Sequence, residues 1–147
     1  KTRSFYGVGE KQFRKYFEMA SNKKGITGTN LLQILESRLD NVVYRLGLGV
    51  SRPQARQIVT HGNIEVNGVK TDVASYLVKP GDVIAVRENR KDNTIIKANL
   101  EAGAARPVPE WLELDSKNLS AKVLRTVTRE EIDLPVEEHM IVEFYSK

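Results

Sequence analysis

The chain has 147 residues, 40% of them hydrophobic and 29% charged, which is enough for one compact unit or two small ones and too apolar for a disordered segment. It has no cysteine, so disulfides and thiolate metal sites are excluded and a reducing compartment suits it. No apolar run approaches the roughly 20 residues that a membrane helix needs, and no signal peptide is visible. The net charge of +4 is unevenly placed. Residues 1–70 carry 12 Lys+Arg against 5 Asp+Glu, whereas residues 71–147 carry 11 against 14. A basic half beside a slightly acidic one points to a polyanion on one surface and something else on the other.

Residues 1–28 interleave Phe5, Tyr6, Phe13, Tyr16 and Phe17 with Lys1, Arg3, Lys11, Arg14, Lys15, Lys23 and Lys24. Val8 to Ala20 has helical spacing, with Phe13, Tyr16, Phe17 and Ala20 on one side. Such aromatics either stack on bases or form core, and the spacing favours core. Ser21 to Thr29 is expected to be a loop. Residues 30–46 are predicted to form one long amphipathic helix. Its stripe is Leu31, Leu32, Leu35, Leu39, Val42, Val43 and Leu46, with Arg38, Asn41 and Arg45 on the flank. Gly47 and Gly49 stop it.

Ser51 to His61 is a short basic helix. Ser51 caps it, with Gln54 as a capping-box partner, and Pro53 is tolerated in the first turn. Ala55, Ile58 and Val59 face inward, while Arg52 and Arg56, four apart, share a face. Gly62 ends it in a left-handed conformation. A capped helix that stacks two guanidiniums and ends in His-Gly fits a phosphate clamp; the alternative is a solvated surface helix.

From Ile64 the period changes to about two. I-E-V-N-G-V-K-T reads as a hairpin with Asn67-Gly68 at its tip. Pro80-Gly81-Asp82 is a turn before a strand at Val83 to Arg87. Asn93 to Gly103 is a helix. Trp111 to Asp115 and Lys122 to Val127 alternate as two more strands. Pro135 opens a final helix, with a strand over I-V-E-F-Y as its competitor. The fold class is therefore α+β: a helical unit (1–37 with 128–147) closed by the C-terminal segment, and an inserted two-helix plus antiparallel-sheet unit (38–127).

Catalytic and metal chemistry is missing from the pattern. His61 and His139 are far apart and lack partners at ligand spacing. There is no G-x-S-x-G, Walker loop or strand-associated G-x-G-x-x-G. No catalytic residue, metal or cofactor is assigned.

R-L-D-N-V-V-Y-R-L-G-L-G-V-S-R-P-Q-A-R-Q-I-V-T-H-G-N-I-E-V-N-G, followed by V-K-P-G-D-V-I-A-V-R-E, resembles the small RNA-binding module of several RNA-handling proteins. Y-G-V-G-E-K-Q-F-R-K-Y-F at the start and H-M-I-V-E-F-Y-S-K at the end narrow this to a resemblance with the bacterial small-subunit ribosomal protein four family, over essentially the whole chain. The resemblance implies a cytoplasmic, ribosomal structural protein that binds small-subunit rRNA early in assembly and contributes to translational accuracy. Its implied partners are neighbouring small-subunit ribosomal proteins and mRNA near the entry path, with no membrane. Family members carry a further N-terminal segment, in some cases with a metal site, and the first residue here is Lys rather than Met.

The family's module presents its paired helices to RNA. Here that implies Arg38, Asn41 and Arg45 on the first helix, and Ser51, Arg52, Gln54, Arg56 and Gln57 on the second, with His61 and Asn63 at its end. Arg3, Tyr6, Lys11, Arg14 and Lys15 form a second RNA surface. Pro53 departs from the family, where relatives often carry Arg or another polar residue, and removes one candidate phosphate contact. Two other classes compete: the RNA-binding module of an RNA-modifying enzyme, which needs a further catalytic domain, and a free ribosome-associated quality factor.

Overall fold

The structure, a computed structural model, describes residues 6–102 and 107–132. The chain divides into two units, 1–36 with 127–147, and 37–126. Arg3 and the closing segment after Pro135 lie outside the described residues.

In the first unit, α1 (Glu10–Ser21) packs against α2 (Thr27–Glu36). The aromatic side of α1 is core: Phe13, Tyr16, Phe17 and Ala20 are all buried, as are Leu31, Leu32 and Leu35 of α2. The intervening loop is shorter than expected, because α2 already begins at Thr27. Asn30 ties it down, its Nδ2 donating to the carbonyls of Ala20 and Lys24, both at 3.2 Å. The Gln33 amide donates to the carbonyl of Val127 at 2.9 Å, bringing the 3₁₀ turn Arg129–Glu131 to α2.

The single helix expected over 30–46 is two. α2 stops at Glu36 and α3 runs Leu39–Arg45. The break has a clear cause. Arg38 is extended (φ −64°, ψ 141°) and offers no side-chain cap. The orphan N–H groups of Leu39 and Asp40 instead donate to the carbonyls of Tyr76 (2.7 Å) and Ala74 (3.1 Å), and Val78 N–H donates back to Ser37 (2.8 Å). A distant segment thus caps α3, and apolar periodicity across the break could not reveal it.

α4 (Arg52–Thr60) follows a glycine turn and packs on α3. Gly49 is required there: a Cβ on it would lie 2.8 Å from the Ala55 backbone nitrogen. Ser51 Oγ accepts from Gln54 N–H at 3.2 Å, as a cap should. The reciprocal half differs from expectation, since Gln54 Oε1 accepts from Val50 N–H (2.8 Å) and from Asn99 Nδ2 (2.9 Å). Asn99 belongs to α5 (Thr94–Ala102) and also donates to the Leu48 carbonyl at 2.7 Å.

The sheet is antiparallel, in the order β2-β1-β3-β5-β4. Its strands are β1 Ile64–Val66, β2 Val69–Lys70, β3 Val83–Val86, β4 Leu112–Asp115 and β5 Ser120–Val123. Register aligns apolar side chains across it: Ile64 faces Val86, Val66 and Ala121 both face Ile84, and Leu112 faces Val123. All seven are buried, and each large one contributes about 1.5–3 kcal/mol of apolar burial. Asn67 (φ 52°) and Gly68 (φ 81°) form the tight turn that this dipeptide foretells. The strand expected at 122–127 lies earlier. Asn118 bonds both oxygens of Asp115 (3.1 and 2.7 Å), closing a turn that starts β5 at Ser120.

Candidate nucleic-acid interface

The α3–α4 pair gathers cations from two helices onto a short length of surface. α4 supplies Arg52 and Arg56 from one face, and α3 supplies Tyr44, Arg45, Asn41 and Asp40. Arg52 is held at three points. Its Nε and Nη2 donate to Asn41 Oδ1 at 3.1 and 3.0 Å, and its guanidinium lies over the Tyr44 ring, 4.4 Å from the centroid. Arg45 lies over the same ring at 5.9 Å. A guanidinium fixed in a plane by a carbonyl oxygen and an aromatic face has lost rotamer freedom before any ligand arrives.

Beneath this surface lies an ion chain. Arg38 donates to both oxygens of Asp40, from Nε at 3.0 Å and from Nη2 at 2.9 Å. Both side chains are buried, at 0% and 5% exposure, and Asp40 Oδ2 also lies 3.8 Å from Arg56 Nη1. The Arg56 side chain is itself 54% exposed. One buried carboxylate therefore compensates a buried arginine and leans the outer one toward α3.

These positions correct part of the expected site. Arg38 is wholly buried and belongs to the framework, not the surface. Asn41 is 1% exposed and orients Arg52. Tyr6 is 2% exposed, with its hydroxyl donating to Glu36 Oε2 at 2.6 Å, so it is core in the helical unit. Asn63 is buried and donates to the Ile58 carbonyl at 2.9 Å. Ser51 and Gln54 are half-buried capping groups. Arg45 and Arg52 are half-buried; Arg56, Gln57 and His61 are exposed, and Pro53, Gln54, Arg56, Gln57 and Thr60 line one open depression along α4. Lys11, Arg14 and Lys15 are exposed on α1, where Arg14 pairs with Glu10 at 3.3 Å.

Two contributors were missed. Asp40 sits two residues after Arg38, and Tyr44 sits one helical turn after Asn41, so the spacing i, i+3 was available as a signal. That Arg52 would reach across the glycine turn to Asn41 and Tyr44, and Arg56 to Asp40, was not. Among the described residues, no group of three or more His, Asp or Glu side chains could hold a metal ion.

The comparisons with known proteins fall on this same geometry. Residues 37–84 match the S4 domain family, and residues 1–36 match the ribosomal protein S4/S9 N-terminal domain family. The small ribosomal subunit protein uS4 of Ruminiclostridium cellulolyticum is 60% identical over all 147 residues, which cover 71% of that relative. The chain belongs to the bacterial small-subunit ribosomal protein S4 family. The uS4 of Acetivibrio thermocellus is also 60% identical, and that of Thermus thermophilus 54%, each over this whole chain and covering 71% and 70% of the relative. The S4 domain match begins at Ser37, just past Glu36 where α2 ends, and covers α3, α4, β1 and β2 and the start of β3. No helix among the described residues is long and apolar enough to cross a membrane.

Proposed function

We propose that this chain is a structural constituent of the small ribosomal subunit that binds small-subunit rRNA directly through the α3–α4 face, nucleates early assembly and contributes to translational accuracy. It acts in the cytoplasm, as part of the ribosome, and not as an enzyme. The carrying observation is Arg52, held against Asn41 and Tyr44 beside the partly exposed Arg56, in a chain 60% identical to a small-subunit protein. Residues 38–127 form the RNA-binding module, and 1–37 with 128–147 the helical domain; the compact unit spanning 37–126 supports that division.

The contacts are of the phosphate and 2′-hydroxyl kind. The outward groups of α4 are Arg, Gln and His, and the one aromatic nearby is covered by guanidiniums, so it offers no platform for unstacked bases. Folded RNA is therefore recognised by shape. Glu113 and Asp115, exposed on β4, repel phosphates and suit a neighbouring ribosomal protein instead. The mRNA near its entry path is a further partner.

Cosedimentation separates this reading from its rivals. The chain is expected to remain with the small subunit through a high-salt wash and to bind a folded fragment of small-subunit rRNA that excess polyuridine displaces poorly. A chain that washes off acts as a transient factor. Equal competition by polyuridine would make the readout one of single strands.

A further inference from the structure

The C-terminal end of α4 collects three cations from two later stretches of the chain, β2 and the segment after β3. Arg87, just after β3, donates from Nη1 to the Gly62 carbonyl at 3.0 Å. Arg90, in a 3₁₀ turn Glu88–Arg90, donates from Nη1 to the His61 carbonyl at 3.3 Å and to Asn63 Oδ1 at 3.4 Å. Lys70 arrives from β2: a Cβ on Gly62 would lie 3.2 Å from its Cε and 3.6 Å from its Nζ. Gly62 is the residue that allows this, being left-handed (φ 78°) and without a side chain to hold the lysine away.

The carbonyls explain part of the arrangement. A helix C-terminus carries partial negative charge, and cations there satisfy orphan carbonyls. They do not explain all of it. Among the described residues, none of Lys70, Arg87 and Arg90 has a carboxylate within ion-pair distance; nearby Glu88 pairs with Lys91 instead, at 3.2 Å. Each guanidinium commits a single nitrogen of its fork to the helix end. Lys70 stands opposite Glu65 in the β1–β2 register, but the two guanidiniums crowd the helix-end carbonyls with no carboxylate at ion-pair distance among the described residues, and a polyanion relieves the repulsion between them.

We propose that Lys70, Arg87 and Arg90, with the exposed His61 beside them, form a second phosphodiester-binding site at the end of α4, distinct from the Arg52–Arg56 face. His61 follows Arg56 by five positions, about 7.5 Å along a helix axis, so both sites address one stretch of folded RNA. The proposal rests on RNA binding by the module and adds to it residues from the acidic half of the chain, which charge counting sets aside.

The test uses the full chain and a transcribed fragment of small-subunit rRNA, with affinity measured across a salt series. Replacing both arginines (R87Q with R90Q) is expected to lower the log–log salt slope by about two and affinity at least tenfold, and adding K70Q removes about one further unit. The charge-conserving pair R87K with R90K, which loses the guanidinium fork, is expected to keep the wild-type slope. Melting temperatures are read alongside. A glutamine pair that melts lower yet binds with the wild-type slope makes the arginines mere helix caps and overturns the site. So does a lysine pair that loses as much slope as the glutamine pair. A wild-type chain without affinity for the RNA overturns the functional reading itself, a result that the variants alone cannot give.

Discussion

The chain carries basic residues on two kinds of surface, and they are built differently. On α1, Lys11 and Lys15 are exposed stems, and Arg14 has an exposed i, i+4 partner in Glu10. Exposed pairs of this kind are worth little. On α4 the cations meet groups of α3: Arg52 is held by Asn41 and Tyr44, and the half-exposed Arg56 leans at 3.8 Å toward the buried Asp40 that Arg38 anchors. Charge count alone therefore does not rank the two basic surfaces. Lysines on solvated stems attract phosphate; guanidiniums fixed before binding also set its position.

The sharpest way to break the contrast is to remove its buried anchor. R38A leaves Asp40 with only the half-exposed Arg56, and losing one partner of a buried pair costs on the order of 3–5 kcal/mol. The urea midpoint is expected to fall accordingly. A midpoint near wild type would mean that the ion chain places nothing.

G49A comes next. Its new Cβ would meet the Ala55 backbone at 2.8 Å, with no flexible side chain to give way, so α4 must shift. A loss of about 1–3 kcal/mol is expected, together with weaker RNA binding because Arg52 leaves Asn41. Unchanged affinity in a folded G49A chain would count against fixed placement.

Removing the cations themselves sharpens the comparison between surfaces. R52A with R56A is expected to lower the salt slope by about one unit per arginine, and to cost more affinity than K11Q with K15Q. An equal loss from the lysine pair would erase the distinction drawn here. A subtler change is Y44L, which keeps the charge and removes the ring under Arg52. A cation–π contact at such a site is worth about 0.5–1 kcal/mol, so affinity should drop about two- to fivefold with the salt slope unaltered.

The smallest expected effect is electrostatic and lies away from both surfaces. Burial raises the Tyr76 phenol above its ordinary value, with the charge of Asp82 and a hydrogen bond to it adding to the shift. Below the ordinary value near 10, the phenol is protonated whether the chain is folded or not, and stability is unaffected. As pH rises past it, the unfolded chain ionises first, so stability falls. Y76F should flatten that alkaline decline in a pH series of melting temperatures, and an unchanged decline would assign it to other groups.

How much of this was legible depends on how far apart the interacting residues are. The Asn67-Gly68 turn, the Ser51 cap on α4, the Gly62 stop and the buried aromatic face of α1 are all decided within a few residues, and all were readable. Arg38, Asn41 and Tyr6 were misplaced on the surface because polar groups at helical spacing look solvated until their partners are known. Those partners come from elsewhere: Arg52 meets Asn41 across the glycine turn, Asn99 bonds Leu48 from α5, and Tyr6 reaches Glu36. Arg87 and Arg90 were set aside for a similar reason, since counting charge by halves of the sequence ignores that the sheet returns them to α4.

The cap on α3 carries a consequence for the order in which the chain acquires structure. Its first two amide donors find their acceptors at Ala74 and Tyr76, more than thirty residues downstream. Until that stretch has left the ribosome that is making it, α3 has no N-terminal partner, and Arg38 has no fixed extended backbone in which to meet Asp40. The loop that must close is long, so its entropy opposes early formation. The α3–α4 pair is therefore expected to pack into its final form only after the hairpin and the segment behind it emerge, so that the helix pair is completed by chain made well after it.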